Sequence, residues 1–481
     1  MQLSKKTYTG YREYPEKILQ FGEGNFLRAF VDWFFQELNN SGKFSGSVVA
    51  VQPIAHGMAD MLNEQDGLYT LYLRGLKDGK PESKHVTMDV ISRAINPYAD
   101  FGAYLKTAEN PEMRYVISNT TEAGIAYDEN DEPTMTPPNS FPAKLAVWLN
   151  HRYKTFNGDA SKGIHIIPCE LIDKNADNLK RIILQLASKW SLEEGFVNWL
   201  NTACTFSNTL VDRIVPGYPR ERIAEITEEL GYEDKQVVEA EPFHLWVIEA
   251  PESLQQELQF PSLGLDVKYV PDMSPYRTRK VRILNGAHTT LVPVAYLFGL
   301  DTVRESVEHE VVGKFLKDAI YEEIIPTLDL PKEELEQFAA DVIDRFRNPY
   351  IKHLLMSISL NSWSKFETRV LPSVLEYIKR KGEIPQKLAF SLAATIAFYK
   401  GKRGEEAINL NDDAPLIELL KTSWAKYDGT DESFEDVVTS VLGFERNWKM
   451  NLNQVEGLTA AVTKHLTNIE TLGMQKAIET V

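Results

Sequence analysis

Lys17-Ile-Leu-Gln-Phe-Gly-Glu-Gly-Asn-Phe-Leu-Arg-Ala-Phe-Val-Asp32 is the stretch that decides how this chain is read. Its first five residues form a short apolar run with strand character. A Gly-Glu-Gly turn follows at 22–24. Beyond the turn, Phe26, Ala29, Phe30, Trp33, Phe34 and Leu38 recur at helical spacing, which predicts one helix to about Leu38. Strand, glycine turn and helix open a dinucleotide-binding unit. Gly22 permits the tight turn, and Gly24 lets backbone approach a pyrophosphate at the positive end of the helix. The third glycine of Gly-x-Gly-x-x-Gly is absent, with Leu27 in its place. Such turns also join strands to helices that bind nothing, but the strand before and the helix after favour binding. Phe21, Gly22, Glu23, Gly24, Asn25, Phe26 and Arg28 are the candidate cofactor contacts of this segment.

Working outward, Ser47–Val51 reads as the second strand, and Gln52 stands where an NAD enzyme often offers a carboxylate to the ribose. No arginine stands there for an NADP phosphate either, so this position does not discriminate the two. Leu68–Arg74 and Val86–Ile95 flank Lys77-Asp-Gly-Lys80 as a hairpin-like insertion. Met113–Ser118 is a further strand, and Asn119, Thr121 and Glu122 follow at its carboxyl end, where open α/β sheets bind ligands. A threonine capping the next element is an equally good reading of any one of them. With Gln52, these three complete the candidate cofactor set. Ile164–Pro168 is another strand, followed by a helix to about Trp190, and Glu241–Glu249 reads as extended.

From Lys280 the pattern becomes helical almost throughout, with helices expected over 303–325, 332–345, 351–359, 369–381, 386–400 and 416–425. The expected architecture is therefore α/β: an N-terminal Rossmann-like dinucleotide-binding domain (1–275) with inserted strands, then a mostly α-helical C-terminal domain (276–481) carrying the substrate wall.

Composition narrows the function. With 52 basic against 69 acidic residues and a net charge of −17, the chain lacks the basic balance of a nucleic-acid surface. Two cysteines, Cys169 and Cys204, with no Cys-x-x-Cys or His-Glu-x-x-His, offer no zinc spacing, so no metal is expected. The start is polar rather than signal-like, and the longest apolar run, 388–399, is too short for a bilayer. A cytoplasmic location and no membrane partner are expected; oligomeric state is not readable.

Against this acidic background, residues 274–290 carry Arg277, Arg279, Lys280 and Arg282 and no acid. Read as an α-helix at about 100° per residue, His288 lies roughly 80° and Asn285 roughly 140° around the axis from Lys280. A lysine to move a proton, with an amide and an imidazole to hold an oxygen, is what a carbonyl reductase needs. Without the other two in phase, Lys280 would read as a surface lysine at a helix start. Lys365 and Arg369 are candidates for a substrate carboxylate, as is the basic 347–353 segment; either reads equally as a solvated helix face.

Three signatures in order, Gly-x-Gly-x-Phe-x-Arg-Ala (22–29), Val-Asp-Arg-Ile (211–214) and Lys-x4-Asn-x2-His (280–288), resemble the polyol-specific long-chain dehydrogenases, the family of mannitol 2-dehydrogenase and the hexuronate reductases. The likeness spans nearly the whole chain. Segments 20–33, 118–124, 168–173 and 283–288 carry it towards the hexuronate-reducing members. The resemblance implies an NAD-dependent enzyme without metal, acting on a small uronate or aldonate, with Lys280 as general acid/base and Asn285 and His288 holding the reacting oxygen. Asp212, Lys365, Arg369 and Arg277 are the candidate substrate contacts. Two departures stand out. Leu171 replaces an oxygen-binding asparagine of mannitol-type members, and Arg277 replaces an acidic residue, making the mouth more cationic. Burial beside Arg277, Arg279 and Arg282 is expected to lower the pKa of Lys280 from about 10.4 towards neutrality. The alternatives are a neighbouring hexuronate or hexitol oxidoreductase, or a non-catalytic dinucleotide-binding sugar sensor.

Overall fold

The computed structural model describes residues 1–77, 79–121 and 123–481, with Lys77 by its backbone alone. The chain forms two compact units, Met1–Arg74 with Pro81–Met273, and Gly75–Lys80 with Ser274–Val481. The first is α/β and the second mainly helical.

Twelve strands matter for the first unit: β1 (Glu16–Phe21), β2 (Ser47–Val51), β3 (Tyr69–Lys77), β4 (Lys80–Met88), β5 (Ile91–Ile95), β6 (Tyr115–Ser118), β7 (His165–Pro168), β8 (Thr205–Phe206), β9 (Thr209–Asp212), β10 (Val238–Ala240), β11 (Leu245–Glu249) and β12 (Val267–Val270). The principal sheet runs β5-β2-β1-β6-β7-β8, with every pairing parallel. Its central strands are near-continuous apolar runs because both faces are covered. The period of two divides them cleanly. Ile18, Val48, Ala50 and Ile117 join Phe30 and Phe34 in one core; Leu19, Phe21, Val49, Val51 and Val116 join Trp148 and Leu179 in the other. β1 pairs with β2 on one side and β6 on the other, so the strand order reverses between β1 and β6. A parallel sheet binds ligands outside the carboxyl ends at such a reversal. Two three-stranded sheets, β10-β3-β4 and β12-β11-β9, complete the unit.

The sequence expectation needs correcting in places. The helix after the glycine turn is broken: Asn25–Ala29, then Phe30 at φ −124° and ψ −82°, then Val31–Asn40. Two carbonyls that would continue it are taken by side chains. Arg28 O accepts the Tyr69 hydroxyl at 2.7 Å, and Ala29 O accepts Arg213 Nη1 at 2.7 Å. The insertion extends to β3 and β4, while residues 91–95 leave it to form an edge of the principal sheet; Asp78, at its expected turn, lies outside the described residues. Only Leu245–Glu249 of the expected 241–249 stretch is strand.

In the second unit, the almost wholly buried helices Gly286–Phe298 and Gln386–Phe398 pack on each other. The carboxylate of Glu323 accepts the Lys387 and Leu388 amides, both at 2.9 Å, at the positive start of the latter helix. The expected helix 303–325 is instead Val303–Glu308, Glu310–Asp318, a π-helical turn Ala319–Ile324 and a short 3-10 turn at Pro326. His309, in extended backbone, separates the first two and caps the second by accepting the Val312 amide. Residues 351–359 are helical only over Leu355–Ile358, and 369–381 begins with Ser362–Arg369, divided from Leu371–Lys381 at Val370 before Pro372. Among the described residues no helix is long and apolar enough to cross a membrane.

Candidate active site

In the first unit the glycine turn lies at the β1/β6 reversal. Gly22 has φ 115°, and a Cβ there would stand 2.9 Å from Asn119 O, so both conformation and space require glycine. Gly24 is different. It is extended, and nothing lies within 4 Å of a Cβ added to it, so that face of the turn is open. Beside these loops a cavity of about 520 Å³ is lined by Phe26, Asn119, Thr121, Ala123 and Leu171. Leu171, 57% exposed, gives that wall an apolar side chain where mannitol-type members are expected to carry an amide. The cradle at Gly22, the open backbone at Gly24 and the adjoining cavity fit a dinucleotide.

Arg28, Glu23 and Gln52 also make bonds within the protein. Arg28 is buried, and its guanidinium donates to Glu23 O (3.1 Å), Gln236 O (2.6 Å) and Asn25 Oδ1 (2.8 Å). Glu23 is buried too, its Oε1 accepting the Met58 amide at 3.0 Å. Gln52 holds the same loop, donating to Ile54 O and accepting from Ala59 N. These three shape the turn and its neighbouring loop rather than the cavity. Phe21 is core. Asn119 Nδ2 donates to Cys169 O at 2.8 Å, and Thr121 takes φ 77°; Glu122 lies outside the described residues. Asp212 is buried at the end of β9. Its neighbour Arg213 stacks on Trp33 at 4.4 Å, and burial lowers its pKa to about 9, against the pull of Glu241. Sequence reading missed Glu170. Its buried carboxylate accepts Ser118 Oγ, Thr120 N and Thr120 Oγ1, each at 3.0 Å, and so fixes the loop carrying Asn119 and Thr121. Only its place after a strand end hinted at this.

In the second unit, helix Ser274–Arg279 passes into a π-helical turn, Lys280–Asn285, and then into helix Gly286–Phe298. The π turn overturns the azimuths expected from a plain α-helix. Its i→i+5 bonds insert one residue into the turn. Asn285 therefore lies about four α-steps from Lys280, roughly 40° away, and His288 about seven, roughly 20° to the other side. Spacings of five and eight take the azimuths of four and seven, which mark one helical face. Gly286 adds to this, since a Cβ there would stand 3.2 Å from Arg369 O, allowing helix Ser362–Arg369 to approach.

Lys280 and His288 are half-buried. Asn285 shares a cavity of about 390 Å³ with Arg277, Thr278, Val281, Arg282, Thr368 and Arg369, three guanidinium groups and no acid. Burial lowers the pKa of Arg282 and of Arg369, and Arg282 Nη1 is buried without a hydrogen-bond partner among the described residues. Lys365 donates to Ile358 O at 2.8 Å; burial and then Arg369 lower its pKa. Arg279 is not part of the cavity. It pairs with Glu334 at 2.9 Å and packs on Phe338 at 4.2 Å. The pKa of His288 is pushed well below the usual imidazole value, first by burial, then by His353, Arg345, Arg369 and Lys365. The imidazole is neutral, in a cationic setting suited to a bound anion.

Residues 16–262 match the family model of the mannitol dehydrogenase Rossmann domain, and residues 272–470 that of the mannitol dehydrogenase C-terminal domain. The chain belongs to the mannitol dehydrogenase family. It is accordingly an NAD-dependent oxidoreductase. Similar proteins include an altronate oxidoreductase of Phocaeicola vulgatus, 50% identical over 481 residues (100% of this chain, 99% of that protein). Another, from Bacillus subtilis, is 48% identical over 478 residues (99% and 98%). Among solved structures, a substrate-free D-sorbitol dehydrogenase aligns with TM-score 0.82 at 23% identity, covering 99% of this chain and 100% of that one. Pseudomonas fluorescens mannitol 2-dehydrogenase, in a ternary complex with NAD and D-mannitol, aligns with TM-score 0.67 at 21% identity (100% and 99%). At those identities the two structures speak for the fold alone.

Proposed function

We propose that this protein interconverts D-tagaturonate and D-altronate with NAD(H), as a step of hexuronate breakdown. The observation that carries the reading is the cavity holding Asn285 together with Arg277, Arg282 and Arg369 and no acid. An aldonate brings a carboxylate able to pair with these guanidinium groups, and a neutral polyol brings none. The altronate oxidoreductases similar over the full length of this chain support the same substrate.

NAD(H), when bound, takes or supplies the hydride at the carbinol carbon. The glycine turn at Gly22 and Gly24, with Asn119 and Thr121, would hold it. Lys280 gives a proton to the substrate oxygen as negative charge builds there in reduction, and takes it back in oxidation. Asn285 and neutral His288 donate hydrogen bonds to that oxygen. Arg369 and Arg277, with Arg282, hold the carboxylate; Lys365 adds to the field at His288. The test is NADH oxidation with tagaturonate, fructuronate and fructose in parallel, repeated with NADPH. Tagaturonate with NADH is expected to be fastest; preference for fructose would sink the reading, and preference for fructuronate would move it to the other uronate.

A further inference from the structure

His288 is caged by residues that sequence reading did not connect with it. Phe346 stacks on the imidazole with centroids 4.1 Å apart and planes 23° from parallel, and His353 meets it edge-on at 5.1 Å and 76°. Both are firmly placed. Helix Lys332–Phe346 ends at Phe346, and buried Asn348 turns the chain by accepting the Tyr350 amide at 3.0 Å. The carbonyl of His353 then accepts the Val303 amide at 2.9 Å. Tilting the His288 ring out of its plane would press it on the stacked Phe346.

The two ring nitrogens stand in different surroundings. Nε2 is sealed from solvent and has no hydrogen-bond partner among the described residues. Nδ1 is not sealed in this way, and among the described residues no hydrogen bond is made to it, so it is the nitrogen a ligand can reach. A neutral imidazole carries its proton on one nitrogen only. An N–H buried without an acceptor carries its desolvation penalty uncompensated, and Arg345, Arg369 and Lys365 add positive charge near the ring. A sealed nitrogen without an acceptor is therefore better occupied by a lone pair than by an N–H. The proton then belongs on Nδ1, where it can be donated.

We infer that the Phe346–His353 cage holds His288 as its Nδ1–H tautomer, and that His353 is a positioning residue whose contribution to turnover passes through His288. The consequence for catalysis rests on the role proposed for His288 above; the tautomer does not.

The experiment has two arms. In ring-15N histidine spectra of the substrate-free protein, with the His288 signals assigned through His288→Asn, the protonated nitrogen is expected to be Nδ1. In kinetics, His353→Ala is expected to lower kcat roughly tenfold to a hundredfold, on the scale of losing an oxyanion-hole donor, with the Kd for NADH unchanged. His353→Phe keeps an aromatic edge on the ring and is expected to restore kcat to within a few-fold of wild type. An Nε2–H signal, wild-type kcat in His353→Ala, or a His353→Phe variant as slow as His353→Ala would each overturn the inference. If the wild type reduces no uronate, the proposed function fails, while the spectra still decide the tautomer.

Discussion

Asp32→Asn isolates one buried charge beneath the glycine turn. Asp32 is fully buried; its Oδ2 accepts Gln20 Nε2 at 3.3 Å and the Tyr69 hydroxyl at 3.4 Å, and Oδ1 has no partner among the described residues. Burial raises its pKa from 3.8 to about 7, against the opposing pull of Gln20, Arg28 and Tyr69. The folded protein thus keeps a proton through a pH range in which the unfolded chain has lost it. Stability from this group is highest below pH 4, falls as pH rises to about 7, and is flat beyond. At about 1.4 kcal/mol per pH unit, the gap between 3.8 and about 7 amounts to about 4 kcal/mol, of which about 3 kcal/mol falls between pH 5 and pH 8. Asparagine keeps the shape and cannot ionise. Urea titrations of both proteins at pH 5 and pH 8 should therefore show the variant gaining about 3 kcal/mol on the wild type across that interval. Comparing the two proteins cancels every other titrating group. A stability difference that is the same at both pH values, or that moves the other way, would refute the account of Asp32.

Four further outcomes are expected. Lys280→Met should lower kcat by roughly 10²–10⁴-fold, the usual worth of a general acid, with NADH affinity, read by fluorescence titration, unchanged. Arg369→Gln should raise the KM for tagaturonate roughly tenfold to a hundredfold, the scale of a lost charge-assisted hydrogen bond, while slow turnover of fructose stays as it was. Gly22→Ala should destabilise the first unit by about 1–3 kcal/mol through its positive φ and the clash with Asn119 O. Gly24→Ala should leave stability within about 0.5 kcal/mol of wild type and weaken NADH binding; a stable variant with unchanged affinity would remove Gly24 from the cofactor site.

What the sequence by itself determined was whatever depends on local order. Apolar runs around a glycine turn led to the parallel sheet, and the change of period after Lys280 led to the helical unit. Lys280, Asn285 and His288 stood out because their residue types are unusual together and their spacing is short. Tertiary structure alone decided the rest. The π turn that puts the three on one face depends on backbone hydrogen bonds that side-chain periodicity does not reveal. The break at Phe30 exists because Tyr69 and Arg213, distant in the chain, take the carbonyls of Arg28 and Ala29. Arg28 and Glu23 stood out as cofactor contacts beside Gly24, and only the folded chain shows Arg28 also donating to Gln236 O and Glu23 accepting the Met58 amide. The cage around His288 comes from residues more than fifty positions away. A residue's type limits which bonds it can make, but which partner it finds is settled only when burial removes water as the alternative.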